Sequence, residues 1–142
     1  MKKKILIKYW NKFYKKKSIT KESTFAKFTY KRIINKKAKI LDIGCGNGRD
    51  SYFFNKKGFE VTGIDISQKV IEKNSKNKIK NLSFKKFDIG KDKINDKFDI
   101  IYCRFFVHTV DELLENKLIK LIKDSKNKKT IVFFEFRNFK DK

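Results

Sequence analysis

Residues 40–48 read Ile-Leu-Asp-Ile-Gly-Cys-Gly-Asn-Gly, an apolar run that passes through an acidic residue into three glycines spaced two apart. A short apolar run that leads into a turn is typical of a buried strand. Glycine has no Cβ, so the turn can adopt positive φ angles and a ligand can lie against the main chain. The stretch therefore predicts a strand that ends in a ligand-binding loop.

A second acidic residue, Asp65, closes the next apolar run, residues 60–65. It lies 21 positions after Gly44. That separation is close to the ~20 residues expected for a carboxylate that binds ribose hydroxyls in a doubly wound fold. The two features together predict a cofactor that contains adenosine.

The glycine spacing indicates which cofactor. A dinucleotide site needs Gly-x-Gly-x-x-Gly, but here Arg49 holds the third glycine position and Gly48 comes one residue early. A nicotinamide oxidoreductase is therefore not favoured. Asp42 and the glycines, followed by Gly-Ile-Asp-Ile-Ser at 63–67, resemble the nucleotide-binding loop of class I S-adenosylmethionine-dependent methyltransferases. The resemblance implies a methyltransferase with S-adenosyl-L-methionine as its cofactor.

The order of apolar runs and amphipathic segments predicts the fold class. Near-continuous apolar runs indicate parallel strands that are covered on both faces. We expect an α/β fold with a doubly wound, mostly parallel, Rossmann-like sheet. Its predicted strands are 39–43, 60–65, 82–87, 98–103 and 130–136. The predicted helices are one capped by Ser23 or Thr24 that runs through Ile33 and Ile34, one from the glycines to Gly58, one at 68–74 capped by Ser67, and one at 110–123.

Length and composition restrict the remaining function classes. The 142 residues predict one domain, residues 1–142, with an N-terminal helical segment at 1–37 and a Rossmann-like core at 38–142. The formal net charge is +22, but the lysines are scattered along the chain, so nucleic acid is not expected as a partner. No signal sequence or membrane span is evident, and we expect a cytoplasmic protein. Cys45 and Cys103 lie far from any histidine cluster, so no metal site is expected.

Further motifs narrow the resemblance to small-molecule methyltransferases, some of them associated with sugar or capsular polysaccharide modification. These motifs are Tyr-Trp-x-x-Phe-Tyr at 9–14, Ser-Thr-Phe-Ala-Lys-Phe at 23–28, the stretch from 41 to 51, Arg-Phe-Phe-Val-His at 104–108 and Glu-Phe-Arg at 135–137. The resemblance implies a small-molecule acceptor and suggests a hydroxyl group of a sugar or polysaccharide precursor.

The resemblance also implies which residues bind the cofactor. Asp42 would lie near the ammonium group at the methionine end, and Asp65 would accept hydrogen bonds from both ribose hydroxyls. Ile66 would lie against the adenine ring, and Asp88, with Ile89 beside it, would accept from the adenine amino group. The remaining loop residues would hold the methionine end: Gly44, Cys45, Gly46, Asn47 and Gly48.

Catalysis is assigned to residues that follow the fourth strand, where ligands gather in such sheets. Methyl transfer is an in-line displacement, so positioning supplies most of the rate and an alcohol acceptor also benefits from a base. His108 is the only histidine and is the candidate base, although it could instead cap the following helix. Arg104 would contact a substrate or cofactor carboxylate, or else form a surface ion pair. Glu135 and Arg137 either pair with each other or border the acceptor pocket.

Two alternatives remain open. Complete class I methyltransferases usually continue with another helix and two strands, whereas only residues 137–142 follow the fifth predicted strand here. The chain would then be a truncated or partner-dependent form that binds the cofactor without methylating. We expect a homodimer or a complementing partner at the edge formed by strand five, which carries Phe133, Phe134 and Phe136, with Phe139 after it. RNA methylation is the second alternative, although the absence of proline excludes the Pro-Pro and Pro-Cys signatures of two nucleic-acid methyltransferase classes.

Overall fold

The structure is a computed structural model that describes residues 2–16, 21–104 and 111–137. Helices and strands alternate along most of these ranges. The helices are α1 (Lys2–Lys16), α2 (Thr24–Arg32), α3 (Arg49–Lys56), α4 (Gln68–Asn74) and α5 (Glu112–Ser125). The strands are β1 (Lys39–Ile43), β2 (Glu60–Asp65), β3 (Leu82–Lys86), β4 (Phe98–Arg104) and β5 (Lys126–Glu135).

The strands form one parallel sheet in the order β3-β2-β1-β4-β5. The central strand β1 pairs with β2 on one side and β4 on the other, so Asp42 lies opposite both Gly63 and Tyr102. All five strands run the same way, so their carboxyl ends meet at one edge of the sheet. The predicted α/β fold with a parallel sheet is confirmed.

Each face of the sheet carries its own apolar cluster. Alternate residues of a strand point to opposite faces. Ile40 and Tyr102 therefore pack with Phe54 of α3 and Ala26 of α2 on one face. The other face is covered by α5 and contains Leu41, Ile43, Ile64, Ile101, Leu118 and Leu121. Helices on both faces make the sheet doubly wound.

The predicted caps agree with the structure, but the end of α2 does not. Ser23 Oγ accepts a hydrogen bond from Ala26 N at 3.0 Å, and Ser67 Oγ accepts from Val70 N at 3.4 Å. The prediction that α2 runs through Ile33 and Ile34 is wrong. Ile33 turns to an extended conformation (φ −80°, ψ 113°) that buries it in the core, and this leaves Ile34 95% exposed.

The last helix and strand begin at other residues than predicted. Asp111 caps α5, its Oδ1 accepting from Leu114 N at 3.0 Å, so the helix begins at Glu112 and not at 110, which lies outside the described residues. The strand β5 begins at Lys126, four residues before the predicted start, and ends at Glu135. The early start rests on pairing of Phe98 with Lys126 and on a 2.6 Å hydrogen bond from Thr130 Oγ1 to Phe98 O. The strands β3 and β4 differ from their predicted ends by one residue each.

Three observations bear on the remaining expectations of the sequence. In the described ranges, no helix combines the length and the apolar character that crossing a membrane requires. Histidine, cysteine and acidic side chains of the same ranges form no group of three or more that could hold a metal ion. Cys45 and Cys103 are both buried free thiols.

Candidate cofactor site

The glycine loop follows β1 at the carboxyl edge of the sheet. All three of its glycines have positive φ: 71° at Gly44, 52° at Gly46 and 76° at Gly48. The amides of Gly44 and Cys45 donate to Ile64 O at 2.9 and 3.0 Å, which fastens the loop to β2. The helix α3 begins directly after Gly48. The loop thus forms a backbone cradle between two strands and a helix N-terminus, a setting that suits a bound ligand.

Asp65 lies at the end of β2 beside this cradle. Its Oδ2 accepts from Gly46 N at 3.0 Å and its Oδ1 accepts from Ser67 N at 2.9 Å. Burial raises the pKa of Asp65, and the hydrogen bonds from Ser67 and Gly46 lower it. Each carboxylate oxygen has a second lone pair, so Asp65 can still accept from the hydroxyls of a ribose. The carboxylate acceptors of Asp65 and the glycine-loop cradle therefore fit S-adenosylmethionine.

Asp42 is buried beneath the loop, with only 3% of its surface exposed. Its Oδ2 accepts from Ser51 Oγ at 2.6 Å. The pKa of Asp42 is raised to about 7, mainly by burial and also by the charges of Asp50 and Asp65, while the Ser51 bond and the Arg104 charge oppose the rise. Asp42 is therefore a carboxyl group that changes its charge near neutral pH.

Arg104 and Glu135 form an ion pair across the ends of β4 and β5. The two residues are register partners, and Arg104 Nε lies 2.6 Å from Glu135 Oε2. Both side chains are about one quarter exposed, so the pair is neither free in solvent nor sealed in the core. Glu135 thus pairs with Arg104, a partner that the sequence interpretation had not considered. His108 lies outside the described residues.

The residues that were expected to border the adenine are Ile66, Asp88 and Ile89, and they follow strands that end at this same edge of the sheet. Phe87 N donates to Asp65 O at 2.8 Å, which holds the end of β3 beside β2. Asp88 follows directly, and its Oδ1 accepts from Gly90 N at 3.0 Å. Ile66 is half-buried after β2, whereas Ile89 packs against the apolar cluster on the α5 face.

The structure also brings residues to the loop that the sequence interpretation did not assign. Tyr14 of α1 lies on Gly46, where an added Cβ would come within 2.5 Å of Tyr14 Cζ and closer still to Oη. Burial raises the pKa of Tyr14, and Asp65, Cys45 and Asp42 raise it further, which places the phenol among the acidic groups of the site. The available signal was the Tyr-Trp-x-x-Phe-Tyr motif at 9–14, which had served only to mark the resemblance.

Two side chains near α4 complete this arrangement. Ser67 Oγ donates to Asn11 Oδ1 and so ties α1 to the start of α4. Asn74 Nδ2 donates to Gly46 O at 2.8 Å from the end of α4. Tyr14 of α1 and Asn74 of α4 therefore both contact the glycine loop at Gly46, and the Asn11–Ser67 bond joins the two helices. Nothing local in the sequence marks Asn11 or Asn74, because their partners lie 56 and 28 residues away.

Comparison with known proteins identifies the family. The model of a family described as "Methyltransferase domain" matches residues 34–136 of the chain. The chain belongs to this family.

Individual relatives point the same way. The "Probable S-adenosyl-L-methionine-dependent methyltransferase TehB" of Haemophilus influenzae strain Rd is 32% identical over 92 residues, which are 63% of this chain and 32% of that protein. The structure of PKMT2 from Rickettsia typhi in complex with AdoHcy is 30% identical, with a TM-score of 0.63 over 70% of this chain and 21% of the other. The structure of the glycopeptide N-methyltransferase MtfA with S-adenosyl-L-methionine has a TM-score of 0.72 at 14% identity. The match covers 82% of this chain and 55% of the MtfA chain. That last likeness concerns the fold alone.

These matches confirm the predicted class I methyltransferase domain and its cofactor, S-adenosyl-L-methionine. The chain spans between 14% and 42% of the length of the first curated relatives, and about half of the MtfA chain. The relatives therefore indicate what this domain is and which cofactor it takes. They do not indicate its acceptor.

Proposed function

We propose that this domain transfers a methyl group to a hydroxyl group of a small molecule, with a sugar or polysaccharide precursor as the first substrate class to test. The observation that carries the proposal is the partly exposed Arg104–Glu135 pair at the carboxyl edge of the sheet. The partly exposed guanidinium and carboxylate bring charged N–H donors and oxygen acceptors together at this edge, the groups to which hydroxyls hydrogen-bond. The pair suits an acceptor that is rich in hydroxyl groups.

For the cofactor we propose the roles that the resemblance implied. Asp65 binds the ribose hydroxyls, Asp42 lies near the ammonium group, and the Gly44–Gly48 loop holds the methionine end. Ile66 and the Asp88–Ile89 segment border the adenine. The hydrogen bond from Gly46 N to Asp65 supports this assignment, because it joins the ribose-binding residue to the loop.

The chain's own residues would act on the acceptor. S-adenosylmethionine, when bound, supplies a methyl group on a sulfonium, which is already activated for displacement. Arg104 and Glu135 would orient the acceptor hydroxyl so that its oxygen is in line with the methyl group. We propose that His108 takes the hydroxyl proton as the general base. A cytoplasmic location is part of the proposal, and the free thiols of Cys45 and Cys103 support it.

One observation favours a second candidate function. Tyr14 covers Gly46, so α1 lies on the cradle that the cofactor would contact. A chain that binds the cofactor but needs a partner before it methylates would show this arrangement. The two candidate functions differ in whether the isolated chain methylates an acceptor without a partner.

The test is transfer of labelled methyl from S-adenosylmethionine to a panel of sugars and sugar nucleotides, with S-adenosylhomocysteine affinity measured in parallel.

His108→Ala should lower turnover by ~10²–10⁴-fold while affinity for S-adenosylhomocysteine stays the same. Glu135→Gln should raise KM for the acceptor more than it lowers kcat. A His108→Ala variant with full turnover would show that His108 is not the base. A wild-type chain that binds S-adenosylhomocysteine and methylates no panel member would favour the second candidate.

A further inference from the structure

A buried polar cluster of Ser23, Asp50 and Tyr102 lies behind the glycine loop and is referred to here as the Asp50 cluster. The three residues are 4%, 6% and 1% exposed. Asp50 Oδ1 accepts from Ser23 N at 2.7 Å, and Asp50 Oδ2 accepts from Ser23 Oγ and from Tyr102 Oη, both at 2.7 Å. One carboxylate thus takes three hydrogen bonds from two other parts of the fold.

The cluster joins three elements that border the cofactor site. Ser23 is the cap of α2, Asp50 lies in the first turn of α3 two residues after Gly48, and Tyr102 lies in β4 two residues before Arg104. The next residue along α3, Ser51, bonds to Asp42 in β1. The first turn of α3 is therefore anchored to β1, to β4 and to α2 at once.

The surroundings keep the cluster in this arrangement. The ring of Tyr102 stacks on Phe25 with centroids 5.2 Å apart and meets Phe54 edge-on at 5.1 Å, so its hydroxyl cannot turn towards water. A carboxylate in the first turn of a helix is stabilised by the helix dipole. Loss of one partner would leave a buried polar group unsatisfied, which costs more than the bond itself contributes. The cluster can therefore fix the position of the first turn of α3.

We propose that Asp50 is a positioning residue for the cofactor loop. Through Tyr102 and Ser23 it holds the start of α3, where the Gly48 amide donates to Cys45 O and the Arg49 amide donates to Asn47 Oδ1. The glycine loop that these two bonds close is thereby kept in the position in which it meets the methionine end of the cofactor. The inference rests on the proposed cofactor site. It goes beyond that site because none of the three residues is assigned to the cofactor.

The experiment measures S-adenosylhomocysteine affinity by calorimetry, well below the unfolding temperature, for wild type, Asp50→Asn, Tyr102→Phe and Ser23→Ala. Thr29→Val is the matched control, since Thr29 in α2 is fully buried and its hydroxyl has no hydrogen-bond partner among the described residues. We expect Asp50→Asn to weaken binding by about tenfold or more, and Tyr102→Phe and Ser23→Ala by a few-fold each, on the scale of charge-assisted bonds. Thr29→Val should bind like wild type.

A second readout separates positioning from mere stabilisation. Amide hydrogen exchange of Gly48 and Arg49 should become faster in Tyr102→Phe, while exchange in the paired strands β1 and β2 stays slow. A purely structural cluster would lower the unfolding temperature and leave both the affinity of the folded protein and the exchange at 48–49 unchanged. That result would overturn the inference. If Asp50→Asn does not fold, Tyr102→Phe decides, because it keeps the ring and removes only the hydroxyl.

One further variant keeps this inference separate from the cofactor site itself. If Asp65→Ala abolishes binding while Asp50→Asn and Tyr102→Phe bind like wild type, the cofactor site stands and the positioning role is wrong. If Asp65→Ala binds like wild type, the proposed cofactor site is wrong and the positioning role loses its basis.

Discussion

The phenol of Tyr14 lies on Gly46, so closely that the glycine has no room for a side chain. The contact joins α1 to the cofactor loop. Trp10, the single tryptophan of the chain, stacks on Tyr14 with centroids 5.8 Å apart and rings 25° from parallel. The fluorescence of Trp10 therefore reports whether α1 stays on the loop.

Gly46→Ala should displace α1 and weaken cofactor binding. The new Cβ would overlap the Tyr14 ring, and the positive φ of 52° adds backbone strain that an alanine tolerates poorly. We expect a shift of Trp10 emission to longer wavelength and at least a tenfold loss of S-adenosylhomocysteine affinity, equivalent to about 1.4 kcal/mol. Fluorescence and calorimetry measure the two effects.

Gly58→Ala is the control for strain alone. Gly58 has a φ of 95°, but nothing lies within 4 Å of the position that its Cβ would take. Gly58→Ala should lower the stability of the fold without changing the Trp10 emission or the affinity for S-adenosylhomocysteine. Equal effects of the two variants would mean that the crowding against Tyr14 has no consequence.

Asp65→Ala should lower S-adenosylhomocysteine affinity by at least about tenfold, because each charge-assisted bond contributes roughly 1.5–3 kcal/mol. The same variant removes the acceptor of Gly46 N, so the loop also loses a support. Asp99→Ala is a suitable control, since Asp99 bonds to Lys39 N at the opposite end of the sheet. Unchanged affinity in a folded Asp65→Ala protein would reject the ribose assignment.

The raised pKa of Asp42 predicts a pH dependence of stability. Below about pH 4 the group is protonated in both the folded and the unfolded state. Between about pH 4 and 7 only the unfolded state loses the proton, so the free energy of unfolding falls as pH rises, and above about pH 7 the loss is complete. Each pKa unit is equivalent to about 1.4 kcal/mol, which makes the expected loss a few kcal/mol.

Asp42→Asn isolates this effect from the other charged groups near the site, Asp50, Asp65 and Arg104. Urea unfolding of both proteins from pH 4 to 8 gives the difference in free energy of unfolding. The free energy of unfolding of wild type minus that of the variant should fall between about pH 4 and 7 and then level off. A difference that stays constant with pH would contradict a raised Asp42 pKa.

The sequence was most informative where the determining interactions are local. The cap at Ser67 and the glycine turn depend on residues within a few positions, and both lie where they were predicted. The start of β5 depends instead on its neighbour. Residues 126–129 are three lysines and an asparagine, which have little strand propensity, and pairing with Phe98 draws Lys126 into the sheet.

The same reason explains which site residues the sequence did not reveal. The Asp50 bonds to Ser23 and Tyr102 span 27 and 52 positions, and Tyr14 reaches Gly46 across 32 residues of chain. No spacing rule links such pairs, because only the packing of α1 and α2 on the sheet brings them together. A motif could mark the loop, but not the residues that hold it.

The exposed edge of the sheet leads to a last prediction. Among the described strands β5 is an edge strand, and its two halves differ. The first half carries Lys126, Lys128 and Lys129, charges that oppose pairing with another chain. The second half is apolar and ends beside Phe136, which is 62% exposed, while Ile131 is 50% and Phe134 38% exposed. Phe139 lies outside the described residues.

We propose that the chain self-associates through this second half of β5. The net charge of +22 opposes association at low salt and is screened at higher salt, where the Debye length falls to ~8 Å near physiological ionic strength. Light scattering should therefore show a molecular mass that rises with salt. Phe134→Lys should abolish the rise, whereas Ile34→Lys, which changes an equally apolar and 95% exposed residue after α2, should not. A monodisperse monomer at every salt concentration, or equal suppression by both variants, would show that the edge does not pair with a second copy.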